Sequence, residues 1–166
     1  AKVAGAVCGQ GRAGVAGGIV GGIVMGVLMF LMSAPVLEVA IPSLYTLAPP
    51  PSLGTGLVVH ISHGAVLGVV FAGIVGALDL DSPAIQAASG AIWGVVTWVA
   101  LAALLMPVWL NVVGSPASPP FPNFAMPSLL WHVIYGGSLG ITYTALADRI
   151  YGTRQSKILN SCASVR

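Results

Sequence analysis

Apolar residues dominate four stretches of this chain, and polar residues collect between them. The stretches run approximately Val15–Val36, Gly56–Leu78, Ala87–Val108 and Ser128–Ile150. None carries a charge at its centre. Each is close to the roughly 20 apolar residues that cross a hydrocarbon core as helix. They lack the strict alternation of a half-buried strand, so the pattern predicts helix. A spanning segment must in any case satisfy its own amides, which leaves helix or closed barrel. The intervening segments "APPPSLGTG", "DLDSPA" and "GSPASPPFPNFAMPS" are rich in Pro, Gly and Ser and read as loops.

The pattern also repeats. An offset of 72 residues lays His60 on His132, Gly18 on Gly90, Gly22 on Gly94 and Pro35-Val36 on Pro107-Val108. The same offset lays Gly64, Leu67 and Gly68 on Gly136, Leu139 and Gly140. Each repeat is a helix, a long outer loop and a returning helix, about 15–78 and about 87–150. Two spans per repeat give both copies the same orientation, so a pseudo-two-fold along the membrane normal is predicted. The expected fold is all-α: four transmembrane helices as two parallel-repeat hairpins, one integral membrane domain over 1–166 with tails 1–14 and 151–166. Pro35 and Pro107 are expected to end the first helix of each hairpin. The apolar residues after them are expected to lie flat at the interface, with Tyr45 and Trp109 at headgroup depth.

Composition sharpens this picture. Hydrophobic residues make up 57% of 166 and charged residues only 6%, against roughly a quarter charged in soluble domains. Lipid is therefore the main solvent. A net charge of +2 without a basic cluster excludes nucleic acid as a partner. Lys2 and Arg12 precede the first span, and Arg149, Arg154, Lys157 and Arg166 follow the last. The two outer loops hold no Lys or Arg, which places both termini in the cytoplasm of a multi-pass cell-membrane protein. The first apolar run is too long for a signal peptide. Cys8 and Cys162 lie in opposite tails and read as free thiols.

Glycine falls every fourth residue at Gly14, Gly18, Gly22 and Gly26, and again at Gly90 and Gly94. Small residues at this spacing let helices approach closely. They predict packing inside the bundle, or docking on a partner subunit, or room for a flat cofactor.

His60 and His132 sit about one turn inside the outer helix ends, and His63 shares the face of His60. The structural reading is neutral rings hydrogen-bonded to loop carbonyls, pinning the outer loops. The alternative is ligation. Two imidazoles across a two-fold can take both axial positions of haem b. Gly64, Gly68, Gly136 and Gly140 would then leave room for the macrocycle. A metal held by His60, His63 and His132 lacks a fourth ligand. Met25, Met29 and Met32 form a helical stripe that reads as pliable core rather than a copper route. Trp93 and Trp98 suggest a third alternative, a groove for lipid, quinone or carotenoid. No P-loop, H-E-x-x-H, G-x-S-x-G or C-x-x-C-H is present, and no motif requires a cofactor. No enzymatic activity is expected.

The stretches "HISHGAVLGVVFAGIVGAL", "WGVVTWVALAALLMPVWL" and "LLWHVIYGGSLGITYTAL" resemble a group of small haloarchaeal four-helix membrane proteins. Members often carry the label "histidine kinase", but this chain has no nucleotide motif to match it. The resemblance covers most of the chain and implies an archaeal, salt-rich setting. The first functional reading is a non-catalytic accessory or scaffold subunit of a larger membrane complex, or a homo-oligomer.

Overall fold

The computed structural model describes residues 2–46 and 50–163, and every element in it is helical. Helix α1 covers Lys2–Pro35 and continues through a π-helical turn at Val36–Ala40 into a short 3-10 turn at Pro42–Leu44. Helix α2 covers Leu53–Ala77. Helix α3, Pro83–Thr97, runs on through a π-helical stretch, Trp98–Leu105, into α4, Met106–Val112. Helix α5 covers Met126–Ala163. Three stretches are long and apolar enough to cross a membrane: Gly9–Leu44, Leu53–Ala77 and Pro83–Val112. The α5 run is diluted by His132, Tyr135, Ser138, Thr142, Tyr143 and Thr144 and falls outside that group.

Local chemistry sets several ends. The Ser52 hydroxyl accepts from the Thr55 amide at 3.3 Å and caps α2. Leu78 and Asp79 end α2, with Asp79 in the left-handed region at φ 48°. Pro83 opens α3 in the first turn, where its missing N–H costs nothing. Gly114, at φ +70°, follows the end of α4.

Pro35 ends the α-helical run of α1 as the sequence pattern suggested, but Pro107 stands in the first turn of α4 and ends nothing. At Pro35 the chain kinks, Ser33 leaving helical geometry, and then winds on with wider turns in which Ile41 N donates to Val36 O at 3.0 Å. Before Pro107 the wide turns come first, and Met106 N bonds to Leu101 O. A π turn shifts the hydrogen-bond partner by one residue, which accommodates a ring that supplies no donor. Beyond the prolines the chain packs back onto the bundle. Leu37 and Leu110 are fully buried and Ser43 is nearly so. Trp109 Nε1 donates to Leu44 O at 2.9 Å, so the two outer segments meet and cap one end of the bundle.

Helix α1 packs tightly on α2 and on α5, and α5 packs tightly on α3. Helices α2 and α3 barely touch despite the short turn between them. The core holds Met25, Met29, Phe71, Tyr135, Leu139 and Tyr143, with Phe71 and Tyr143 edge to face at 5.5 Å. Ile23, Val27, Leu31, Val66 and Ile92 point outward, the placement lipid rewards and water does not.

The side chains of Cys8 and Cys162, with Lys2, Arg154, Lys157 and Arg166, lie outside the described residues.

Candidate functional site

One face of α2 carries Gly56, His60, Gly64 and Gly68 at four-residue spacing, and all four are buried. Gly56 lies directly under the Leu37 carbonyl, so the outer segment folds back onto α2. One turn on, the His60 ring fits where Gly26 of α1 lacks a side chain. A Cβ on Gly26 would stand 3.4 Å from His60 Cδ2. His60 is 8% exposed, and its Nε2 has no hydrogen-bond partner. The Gly22 carbonyl lies beside the ring but outside hydrogen-bond geometry to Nε2. Both His132 and His63 lie within electrostatic reach of His60.

His132 projects from α5. Its Nδ1 donates to the Ser128 carbonyl at 2.7 Å, one turn back on the same helix. That bond assigns the hydrogen to Nδ1 and leaves the lone pair on Nε2. His63 stands at the rim, where its Nε2 hydrogen-bonds the exposed Tyr45 hydroxyl. A turn deeper, Tyr135 crosses from α5 and donates to the Gly64 carbonyl at 2.8 Å. Below that, Phe71, Leu139 and Tyr143 are at most 2% exposed and close the interior.

His60 makes no hydrogen bond through Nε2 and His132 bonds only within its own helix, so neither pins an outer loop. His63, through Tyr45, is the histidine that does so. No group of three metal-ligating side chains assembles among the described residues, so His60, His63 and His132 do not form a metal site there.

The glycines read as clearance for a haem, Gly64, Gly68, Gly136 and Gly140, lie against neighbouring helices. A Cβ on Gly64 would sit 2.7 Å from the Gly18 carbonyl, and the Tyr135 ring fills the remaining side. Gly68 packs on the backbone of Gly14. A Cβ on Gly136 would meet Gly94 N at 2.7 Å, and one on Gly140 would meet the Ala87 carbonyl at 2.7 Å. Helix backbones occupy these notches, so the residues present do not fit a macrocycle between the rings. Trp98 is buried against Phe124 with ring centroids at 5.7 Å, and the Trp93 and Trp98 indole N–H groups are both buried without a partner.

Gly14, Gly18 and Gly22 face α2, Gly26 faces His60, and Gly90 and Gly94 face α5. The predicted glycine faces are therefore spent inside the chain, and none is left for a partner. The sequence reading missed a second α1 stripe, Gly17 and Gly21, which receives Leu139 and Tyr135 of α5. The doublets in "GGIVGG" are its signal, since neighbouring glycines point at two different helices. It also missed Gly56, whose signal is the four-residue spacing to His60.

No curated protein and no solved structure matches the chain. A family model, the family of unknown function DUF6789, matches residues 8–153, and the chain belongs to that family.

Proposed function

We propose that the protein is a non-catalytic, four-span integral membrane protein, in which two like hairpins form a scaffold or accessory subunit. It works beside a larger membrane complex or as a homo-oligomer. In this reading α5 is the fourth span, both termini are cytoplasmic, and the capped end faces outward.

The repeat is supported by matched register. Gly18 packs against Gly64 and Ala65, and Gly90 packs against Gly136. Gly22 lies over Ile61, and Gly94 lies over Val133, 72 residues on in both chains of contact. The two hairpins close with the same residues touching. The orientation is supported by Arg12 and Arg149 at one end and by basic-free outer loops at the other.

The observation that carries the functional reading is where the surface chemistry lies. The bundle interior is closed by Phe71, Leu139 and Tyr143, while the outward faces of α1, α2 and α3 are continuous apolar belts. Such a molecule acts through what packs on its sides. The partner face is then an apolar belt, since the glycine stripes are already occupied. Native mass measurement in mild detergent tests this. The reading expects either a homo-oligomer or a defined complex with other membrane chains. A single bare monomer across several detergents would contradict it.

A further inference from the structure

At the end of the bundle away from the outer cap, α1, α2, α3 and α5 enclose a cavity of about 260 Å³. Helix α1 contributes Gln10, α2 Gly76, α3 Gln86 and α5 Tyr143, and the short turn between α2 and α3 adds Asp79 and Asp81. A chain with only four Asp and Glu residues thus places two of them at one mouth. Gln86 lies deeper. Its Nε2 donates to the Leu80 carbonyl at 2.6 Å, which fixes the orientation of the amide. Its Oε1 is therefore turned the other way, and that atom is buried with no partner. Buried polar atoms nearly always have one, so this oxygen points to a bound species.

We propose that this cavity binds one hydrated divalent cation of the Mg²⁺ type. Asp79 and Asp81 supply two negative charges, and Gln86 Oε1 supplies a neutral oxygen on the inner wall. The lining holds oxygen ligands and neither sulfur nor imidazole, the set that suits a hard cation. Mg²⁺ gives up water reluctantly and is commonly held through one or two carboxylates with much of its shell kept. A water takes about 30 Å³ of liquid, so the cavity has room for the ion and several waters.

No side chain of the protein does this work instead. Among the described residues, neither Asp79 nor Asp81 is engaged by an ion pair or a hydrogen bond. Arg12 and Arg149 follow Gln10 and Ala147 by two positions, which puts them on other faces of their helices, and neither lines the cavity. The ion also has a structural consequence. Helices α2 and α3 barely touch, and a cation held by their connecting turn and by Gln86 ties that turn to the start of α3. The site itself stands on the cavity; only its opening to the cytoplasm rests on the orientation under the proposed function.

Mn²⁺ is the probe, because it accepts the same oxygen ligands and its EPR signal reports the free ion. The full chain in uncharged maltoside micelles is titrated with Mn²⁺. The expected result is one Mn²⁺ per chain, displaced by Mg²⁺, with a dissociation constant on the order of 0.1–1 mM. Asp79→Asn and Asp81→Asn should each weaken binding about tenfold or more. Asn tolerates the left-handed backbone at position 79, so the turn is kept. Gln86→Leu should weaken binding as well, while Glu38→Gln, in the outer segment, should leave it unchanged. Bound Mn²⁺ should broaden the amide NMR signals of Gly76 and Ala147 and spare those of Ser43 and Leu110. No saturable binding, binding that Asp81→Asn leaves intact, or broadening at the capped end would each overturn the proposal. Displacement by ethylammonium but not by Mg²⁺ would give the cavity to an organic amine and overturn the metal assignment. Should Asp79→Asn fail to fold, Asp81→Asn and the broadening pattern still decide.

Discussion

Replacing Gly18 with alanine adds one methyl where two helix backbones already touch. The new Cβ would stand 2.8 Å from the Gly64 carbonyl carbon and 3.0 Å from Ala65 Cα. Non-bonded carbons settle at about 3.5–4.0 Å. The deficit is therefore about 1 Å, and it falls on backbone atoms that have no rotamer to escape into. Relief requires α1 and α2 to separate along their contact, which also loosens Gly14 on Gly68 and the Gly26 recess that holds His60. Overpacking of this kind costs about 1–3 kcal/mol. Alanine's better helix propensity returns up to about 1 kcal/mol in water. A net loss of about 1–2 kcal/mol is expected for Gly18→Ala. The control is Gly73→Ala on α2, where a Cβ meets nothing within 4 Å. It should leave stability unchanged or raise it by up to about 1 kcal/mol. Reversible unfolding in bicelles, by denaturing detergent or steric trapping, measures both. Gly90→Ala should match Gly18→Ala, since its Cβ would stand 2.8 Å from Gly140 Cα. If Gly18→Ala proves as stable as Gly73→Ala, the account of the glycine stripes as closed internal contacts is refuted.

Other consequences follow from single bonds and rings. Tyr135→Phe removes the 2.8 Å bond to the Gly64 carbonyl but keeps the ring between α1 and α2. It should cost about 1 kcal/mol in the same unfolding assay, whereas Tyr135→Ala should cost about 3–5 kcal/mol through the cavity it opens. Trp109→Phe deletes the bond to Leu44 O, so amide exchange should quicken at Ile41–Thr46 while the α5 core keeps its protection. An unchanged exchange pattern would show that the two outer segments are not tied there. Purified protein should show no Soret absorption, because Gly18, Tyr135 and Gly94 fill the space a macrocycle needs; a Soret band that vanishes in His60→Gln would reverse that conclusion.

Much of the architecture was legible because lipid imposes simple rules. Long apolar runs had to be helix, and glycines at four-residue spacing had to mark close approach. The contacts Gly18–Gly64 and Gly90–Gly136 answer that expectation residue for residue. Pro107 misled because a missing donor breaks an α-helical ladder, whereas a π turn re-registers it. Nothing in "SAPVLEV" or "LLMPVWL" announces which outcome applies. The uneven packing was also hidden. A repeat suggests that α1 meets α5 as α3 meets α2, yet only the first pair is tight. The sequence difference is visible once the contact is known. Gly21 leaves room for Tyr135, while the positions 72 residues away in each direction are Trp93 and His63. At the histidine layer, the matched positions of His60 and His132 could be read from the repeat. The roles of Ser128 and Tyr45 could not, since both depend on hydrogen-bond geometry that spacing does not encode.

The central claim is a bundle whose fourth helix crosses the membrane with the other three, and one labelling experiment tests it most directly. In a background with Cys8→Ser and Cys162→Ser, single cysteines are introduced as Asn111→Cys and Asp81→Cys, and native Cys162 is restored alone in a third chain. Intact cells are then treated with a membrane-impermeant thiol reagent. The account predicts labelling at Asn111→Cys only, with Asp81→Cys and Cys162 reacting after permeabilisation. Labelling of Cys162 from the same side as Asn111→Cys would mean that α5 does not span, and the four-helix account would fall.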